Sequence, residues 1–225
     1  MARSVDLAQR TPERTDDTAM TKIILTRHGH VEGIAPERFR GRKDIPLTAL
    51  GEAQAQAVAA RIAALWRPVA VYTSPLGRCV ATGRAIAAAC GIGGETLDDL
   101  IDLDFGRWAW LTRDDVRAQW PALLAAWDAT PHLVRFPDGD SLQDLVARTA
   151  NAVRFVVSRH DAGAVVVLVG HDHVNRALLL QLLDQPLAAF ARIAQSPCAL
   201  NEIDIVDGRI RVLRINDAAH LDRIG

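Results

Sequence analysis

The chain has 225 residues, of which 49% are hydrophobic and 24% are charged, and its formal net charge is −1. This composition is typical of a globular protein with an ample core. It lacks the excess of basic residues that binding to nucleic acids or membrane surfaces requires. No run approaches the roughly 20 apolar residues of a membrane span. We therefore expect no nucleic-acid partner and no membrane partner.

Residues 1–21 are polar and charged, without the apolar core of a signal peptide. We expect them to form a disordered leader, with translation starting at Met1 or at Met20, ahead of a single domain over residues 22–225. The three cysteines are an odd number without metal-site spacing, which favours reduced core thiols. Both features favour a cytoplasmic protein.

The first predicted strand ends in a cation and an imidazole. Residues 23–26 form an apolar, β-branched run that indicates a strand buried on both faces, and the sequence R-H-G-H follows at 27–30. Burying a guanidinium or an imidazole costs free energy unless an anion or a hydrogen-bonding group receives it. The end of this strand therefore indicates an anion site.

A loop rich in glycine, proline and charge follows, from residue 31 to residue 47. It crowds four cations beside the predicted anion site, namely Arg38, Arg40, Arg42 and Lys43. Two interpretations stay open. Either the loop is a solvated connection, or at least one of the four cations contacts the substrate.

Two helices with a strand between them are predicted next. Thr48 is a suitable N-cap for the first helix, and residues 69–72 form a short strand. Ser74 and Pro75 are expected to be the cap and the first position of the second helix. Arg78 then lies in the first turn, where free backbone N–H groups and the helix dipole favour an anion. A guanidinium there adds a bidentate donor for phosphate.

An acidic stretch follows that helix. Asp98, Asp99, Asp102 and Asp104 alternate with apolar residues, which places one or two carboxylates on a half-buried face. Most acidic residues are simply solvated. The pattern alone therefore does not select one of the four as a functional group.

The second half of the chain is predicted to alternate helices and strands. Pro121 lies inside the helical pattern of residues 112–128, and we expect it to kink the helix or divide it in two, with its tryptophans packing as a lid. The elements predicted after it are a helix capped by Ser141, a strand at 165–169, a helix containing residues 178–183 and a terminal hairpin of strands at 200–206 and 210–215.

A second apolar strand also ends in histidine. The V-V-V-L-V run at 165–169 is followed by Gly170 and His171. Ligands of open α/β sheets bind at the carboxyl ends of the strands, so we expect His28 and His171 to face one pocket. The alternation of strands and helices predicts one α/β domain with a mostly parallel sheet.

Four separated segments of the chain, in order, resemble those of one family. They are L-T-R-H-G at 25–29, G-R-K-D-I-P-L-T-A-L-G-E-A-Q-A at 41–55, S-P-L-G-R at 74–78 with Thr82, and V-L-V-G-H at 167–171. The P-D-G-D-S turn at 137–141 is similar to the family's P-G-G-E-S. From Lys22 to about residue 215 the chain thus resembles the histidine phosphatase superfamily, the phosphoglycerate mutase-like proteins.

This resemblance implies a three-layer α/β sandwich with helices on both faces of the sheet. It also implies a metal-independent phosphatase without a cofactor, in which His28 is the nucleophile and forms a phosphohistidine. Arg27, Arg78 and His171 would complete the phosphate pocket, and His171 would also count as catalytic. Such a set can hold the equatorial oxygens of a transferring phosphoryl group without a metal ion.

Asp102 would be the general acid and base by the same resemblance. The family usually has Glu in the context L-x-E-x-x-F-G, and residues 100–106 match it with the shorter Asp. We expect burial and the nearby phosphate charge to raise its pKa, so that it protonates the leaving oxygen and later activates water. Asp104 and Asp99 are the alternatives for this role.

The substrate is expected to be a small phosphorylated metabolite. Many family members continue R-H-G-x-T-x-x-N, and here Val31 and Ile34 replace the Thr and the Asn. His30 and His173 either supply the missing polar contacts or are structural. The expected substrate-binding residues are His30, Arg40, Gly41 and His173. Hydrolysis is favoured over mutase-type transfer, because the extra residues and the more basic loop of the mutases are absent. The edge strand of the terminal hairpin allows a homodimer.

Two rival hypotheses stay open. His28 with His30 and His171 with His173 form two H-x-H pairs, which suit a metal-dependent hydrolase with Asp172 or Asp102 as oxygen ligand. Two neighbouring arginines oppose a metal cation at that place. The other rival is a catalytically silent module that binds a phosphorylated ligand on the same fold.

Overall fold

The computed structural model describes residues 20–222 and residue 224. The predicted disordered leader therefore lies outside the described residues, except for its last two positions. These two positions already belong to the first strand, which begins at Met20 rather than at the predicted domain start of Lys22.

Within the described residues the domain has six strands and six α-helices. The strands are β1 (Met20–Arg27), β2 (Ala70–Thr73), β3 (Gly94–Thr96), β4 (Val165–Gly170), β5 (Leu200–Val206) and β6 (Arg209–Asp217). The helices are α1 (Ala49–Leu65), α2 (Gly77–Cys90), α3 (Arg113–Gln119), α4 (Pro121–Ala129), α5 (Leu142–Arg159) and α6 (Asp172–Leu182). Short 3-10 segments lie at Asp98–Leu100, Gly106–Trp108, Pro131–Leu133, Leu187–Arg192 and Ala219–Leu221.

The strands form one sheet in the order β3-β2-β4-β1-β5-β6. The first four are mutually parallel, while β5 is antiparallel to β1 and to β6. The predictions of a mostly parallel sheet and of a terminal hairpin are confirmed. Strand β3 was not predicted, because its three residues are all exposed and contain no apolar side chain that would signal a strand.

The core lies on both faces of the sheet. On one face, Ile23 and Leu25 of β1 pack with apolar residues of α5 and α6. On the other face, Ile24 packs with apolar residues of α1 and α2. Each fully buried aliphatic side chain of this kind contributes about 1.5–3 kcal/mol. This alternation along a strand buried on both faces produces the predicted three-layer sandwich.

Side-chain caps begin several of the helices where they were predicted. The Thr48 hydroxyl accepts a hydrogen bond from the Gly51 N–H at 3.1 Å at the start of α1. Ser141 and Asp144 form a capping box at the start of α5. Pro121 divides the helical pattern into α3 and α4 and occupies the first position of α4, where its missing N–H costs nothing.

The three cysteines are unpaired thiols; Cys79 and Cys198 are buried, and Cys90 is partly buried. No helix in the described part of the chain is long and apolar enough to cross a bilayer. Strand β6 lies at the edge of the sheet and exposes Leu213 and Ile215. A homodimer through this edge stays a prediction.

Candidate active site

The carboxyl ends of β1 and β4 bring the two motif histidines together. The strands are parallel neighbours with Arg27 opposite Gly170, so the next residue of each chain segment emerges at the same edge of the sheet. The His28 and His171 ring centroids are 5.2 Å apart, and the residues are only 2% and 1% exposed. Both rings therefore belong to one buried cluster, as the sequence analysis expected.

Hydrogen bonds fix the tautomer of His28. Its Nδ1 lies 2.7 Å from the Gly29 carbonyl oxygen, which can only accept, so Nδ1 carries the proton. Its Nε2 accepts a hydrogen bond from Arg78 Nε at 3.2 Å. Burial, with His171 and Arg78 nearby, lowers the pKa of His28 well below its ordinary value of 6.5. The imidazole is therefore neutral, and its unprotonated Nε2 can act as a nucleophile once the hydrogen bond from Arg78 is released.

Arg78 is fully buried and is held by backbone carbonyls of the preceding loop. Its Nη1 donates to the Lys43 oxygen at 2.8 Å, and its Nη2 donates to the Gly41 oxygen at 2.7 Å. Gly41 has φ +49°, and a Cβ there would lie 3.0 Å from the Leu103 oxygen. The glycine thus allows the close approach of loop and acidic segment that places its carbonyl on Arg78.

Arg27 presents a buried donor without an acceptor among the described residues. Its Nη1 donates to the Gln195 carbonyl at 2.6 Å and lies 3.9 Å from Asp172 Oδ2, whereas its Nε has no partner. Burial lowers the pKa of the Arg27 guanidinium to about 10, which leaves it charged at neutral pH. An oxygen of an anionic ligand would offset the free-energy cost of the unpaired N–H.

His171 is held by Ser74 rather than by a group on its own helix. Ser74 Oγ lies 2.7 Å from His171 Nε2, and Asp102 Oδ2 lies 3.5 Å from His171 Nδ1. Burial lowers the pKa of His171 to about 3, so this ring is also neutral. The predicted cap role of Ser74 is wrong. Helix α2 begins later, after Leu76, without a side-chain cap.

The N-terminus of α6 lies at the cluster, since His171 is its N-cap residue. Arg78 of the cluster lies in the first turn of α2, as predicted. There the first N–H, on Gly77, already donates to Asp44 Oδ1 at 2.9 Å. The backbone N–H groups and dipole of α6 therefore supply positive potential beside His28 and His171.

Asp102 is the buried carboxylate of the cluster. Its Oδ2 lies 3.2 Å from Arg78 Nη2, and its Oδ1 lies 3.8 Å from His173 Nδ1. Burial opposes ionisation, but the hydrogen bond from His173 and the charge of Arg78 help to outweigh it and hold the pKa of Asp102 well below its ordinary value. The expectation of a raised pKa is therefore wrong for the chain's own groups, because a fully buried guanidinium lies beside the carboxyl.

The two alternative acids lie elsewhere. Asp104 Oδ1 accepts a hydrogen bond from the Gly106 N–H at 2.9 Å, and its Oδ2 lies 3.3 Å from Arg42 Nη1. Asp99 belongs to a 3-10 segment and is partly exposed. Asp102 alone of the three has contacts to both Arg78 and His171 within 4 Å.

A cavity of about 220 Å³ reaches the cluster at Asp102. Arg40, Gly41 and His173 line it, together with Asp102. The Arg40 side chain donates to the Gly33 carbonyl, and burial lowers its pKa. The cavity thus contains three of the four expected substrate-binding residues.

His30 is committed to a structural contact. Its Nδ1 lies 2.9 Å from Thr48 Oγ1, at the cap of α1, and its backbone N–H donates to Gln54 at 2.8 Å. Of the two interpretations left open by the sequence, these contacts favour the structural one for His30. The contacts of His173 favour substrate binding instead, because its ring lies beside Asp102 and stacks on Phe190 in the cavity wall.

The four loop cations have separate partners. Arg38 and Arg40 line the cavity, Lys43 Nζ lies 4.5 Å from the centre of the Trp110 ring, and Arg42 donates to the Asp102 carbonyl at 3.2 Å. Of the two tryptophans in the predicted lid, Trp127 lines the cavity, and both Trp120 and Trp127 are partly buried against the core.

The two H-x-H pairs do not converge on a metal site. His28 Nδ1 is bonded to the Gly29 carbonyl and His30 Nδ1 to Thr48, so the first pair points at different partners. Within residues 20–222, no group of three or more His, Cys, Asp or Glu side chains is arranged to hold a metal ion.

Comparison with known proteins agrees with this geometry. The profile of the histidine phosphatase superfamily (branch 1) matches residues 23–218. The chain is 30% identical over 202 residues to phosphoserine phosphatase 1 of Hydrogenobacter thermophilus, covering 90% of this chain and 95% of that relative. It is 32% identical over 212 residues to the probable phosphoglycerate mutase GpmB of Enterobacter sp., covering 90% and 96%. The solved structure of Bacillus stearothermophilus YhfR superposes with a TM-score of 0.85 at 28% identity, covering 90% of this chain and all of that one.

Proposed function

The chain belongs to the histidine phosphatase superfamily, and from that premise we propose that it is a phosphomonoesterase that hydrolyses a small phosphorylated metabolite through a phosphohistidine on His28. One observation carries the proposal. The neutral His28 ring has an unprotonated Nε2 within a buried cluster that also contains two guanidinium groups, Arg27 and Arg78. This pairs a nucleophile with the cations that a phosphoryl group needs.

In the first half-reaction, His28 Nε2 attacks phosphorus in line with the leaving oxygen. A P–N bond forms, and the P–O bond to the leaving group breaks. Arg27, Arg78 and His171 hold the three remaining oxygens. The proton on the leaving oxygen comes from Asp102, whose pKa rises when the negative charge of a phosphoryl group arrives beside it. The chain's own groups keep this carboxyl ionised, so that charge is necessary for the acid role.

In the second half-reaction, water attacks the phosphohistidine. Asp102, now a carboxylate, accepts a proton from the water as the new P–O bond forms. The P–N bond breaks, and inorganic phosphate leaves with His28 returned to its neutral form. All charge stabilisation comes from Arg27, Arg78 and the N-terminus of α6, so the reaction we propose requires no metal ion.

The mouth of the cavity supports a small polar leaving group with an apolar part. Trp127 and Phe190 provide aromatic surface, and the Arg113–Asp128 ion pair, with a distance of 2.6 Å, provides both charges. The relative named phosphoserine phosphatase 1 adds phosphorylated amino acids to the candidates. The relative named probable phosphoglycerate mutase supports a second candidate function, transfer between phosphoglycerates on the same residues.

The test is hydrolysis of p-nitrophenyl phosphate with and without EDTA by the wild type and by His28→Ala. We expect EDTA-resistant turnover that the substitution abolishes. EDTA-sensitive turnover, or full activity of the variant, would contradict the proposal. A panel of phosphorylated amino acids, sugar phosphates and phosphoglycerates then identifies the leaving group. Production of 2-phosphoglycerate from 3-phosphoglycerate faster than phosphate release would favour the mutase instead.

A further inference from the structure

A partly buried carboxylate outside the phosphate pocket connects two arginines to the backbone of the acid segment. Asp140 Oδ2 accepts hydrogen bonds from Arg42 Nη2 at 3.0 Å and from Arg148 Nη1 at 3.2 Å. The same oxygen accepts from the Asp104 N–H at 3.1 Å. One carboxylate oxygen thus fixes two guanidinium groups from distant parts of the chain and the residue two positions after Asp102.

Both arginines then donate to the same carbonyl. Arg42 Nε and Arg148 Nη2 each lie 3.2 Å from the Asp102 backbone oxygen, and Arg148 Nη2 also donates to the Ile101 oxygen at 3.2 Å. Asp102 lies in a segment without regular secondary structure, so no ladder of backbone hydrogen bonds holds it. The charged network provides that restraint.

The turn that carries Asp140 is packed directly on the acid segment. The Asp140 N–H donates to the Asp104 carbonyl at 2.9 Å, and the Arg107 N–H donates to the Pro137 carbonyl at 2.9 Å. A Cβ on Gly139 would lie 2.6 Å from the Asp104 oxygen, so the two backbones are in contact. The turn and the acid segment therefore form one unit, and a shift of the turn shifts Asp102.

We infer that Asp140 is a positioning residue, which holds the general acid Asp102 over the phosphate pocket through Arg42 and Arg148. This inference rests on the proposed function, because it assumes that Asp102 donates a proton to the leaving group. A displacement of about 1 Å in such a group can cost about 10²-fold in rate. Loss of the hydrogen bonds from Arg42 and Arg148 to Asp140 should therefore slow the proton donation by Asp102 specifically.

The experiment compares kcat/KM for p-nitrophenyl phosphate, whose leaving group needs little acid, with kcat/KM for glycerol 2-phosphate, whose alkoxide needs a proton. Asp102→Asn removes the proposed acid, so its losses of kcat/KM on the two esters are the reference for the other variants. We expect Asp140→Ala to lower kcat/KM for the alkyl ester at least about tenfold and for the nitrophenyl ester less than about threefold. Asp140→Asn keeps an acceptor oxygen and should lie between Asp140→Ala and wild type. The Asp102→Asn/Asp140→Ala double variant should lose no more than Asp102→Asn.

Asp217→Ala is the matched control. This carboxylate is 21% exposed against 17% for Asp140, and its Oδ2 also faces two arginines, Arg61 at 2.7 Å and Arg214 at 3.5 Å, neither of which belongs to the site. We expect it to leave the ratio of the two kcat/KM values unchanged. Equal losses on both esters in Asp140→Ala, or additive losses in the double variant, would overturn the inference and leave Asp140 a structural residue. Failure of Asp102→Asn itself to discriminate between the esters would instead overturn the proposed acid, and with it the inference.

Discussion

The buried cluster that Asp102 connects to the cavity, here called the floor, and the mouth of the cavity hold their charges in different ways. The floor, defined as Arg27, His28, Arg78 and His171, is at most 5% exposed, and backbone carbonyls or buried side chains fix each group. At the mouth, defined as Glu37, Arg38, Arg113 and Asp128, the charges are partly or fully exposed, and Arg113 pairs with Asp128. The floor is preorganised for one reaction, whereas the mouth can adapt to a leaving group.

The largest expected difference between the two regions is the loss of activity when an arginine is substituted. Arg78→Lys keeps the positive charge but cannot reproduce the planar set of contacts to Lys43, Gly41 and His28. We expect kcat for p-nitrophenyl phosphate to fall about 10²-fold, because preorganised charge at the phosphoryl group is lost. Activity within about threefold of wild type, in a variant with an unchanged Tm, would show that the floor is not preorganised by Arg78.

The floor should also respond to pH through its neutral histidines. The pKa of His171 is about 3 in the folded chain and 6.5 when unperturbed. Between these values the unfolded chain binds a proton that the folded chain does not, so the free energy of unfolding falls as the pH is lowered. The slope for one such group reaches about 1.4 kcal/mol per pH unit. His171→Asn should make the pH dependence shallower in urea unfolding across this range, and equal slopes in the two proteins would contradict a buried neutral His171.

The smallest effect is expected at the mouth. Arg113→Ala removes a partly exposed ion pair with Asp128 and should change the free energy of unfolding by less than about 1 kcal/mol. Its kcat for p-nitrophenyl phosphate should stay within about threefold of wild type, while its order of preference among phosphorylated metabolites changes. The measurement is kcat/KM across the panel. A loss on every substrate as large as that of Arg78→Lys would remove the distinction between floor and mouth.

The functional side chains of the floor could be predicted from the sequence, but the hydrogen-bonding groups that hold them could not. His28 and His171 directly follow apolar strands, and the ends of parallel strands meet at one edge, so their convergence could be predicted. The groups that fix Arg78 and Arg27 are the backbone carbonyls of Gly41, Lys43 and Gln195. Every residue has a carbonyl, so no side-chain pattern marks these three.

Two errors of the sequence analysis have the same physical origin. Ser74 precedes a proline, which is typical of a helix start, but its hydroxyl is bonded to His171, 97 positions away in the chain. The pKa of Asp102 was expected to be raised by burial and by the phosphate charge, but burial alone does not raise it, because the buried Arg78 lies 3.2 Å from the carboxyl. Both outcomes depend on long-range partners that local spacing does not contain.

The central step is phosphorylation of His28, and it can be trapped. Enzyme mixed with a phosphomonoester and denatured in alkali during turnover should carry a phosphoryl group that is stable to base and labile to acid. Peptide mass spectrometry should locate the phosphoryl group on His28. The label should be absent from His28→Ala and present in His30→Ala, because the His30 ring of the wild type is bonded to Thr48 and takes no part in the reaction. A wild-type protein that turns over substrate without this label, or a label that persists in His28→Ala, would contradict the phosphohistidine mechanism.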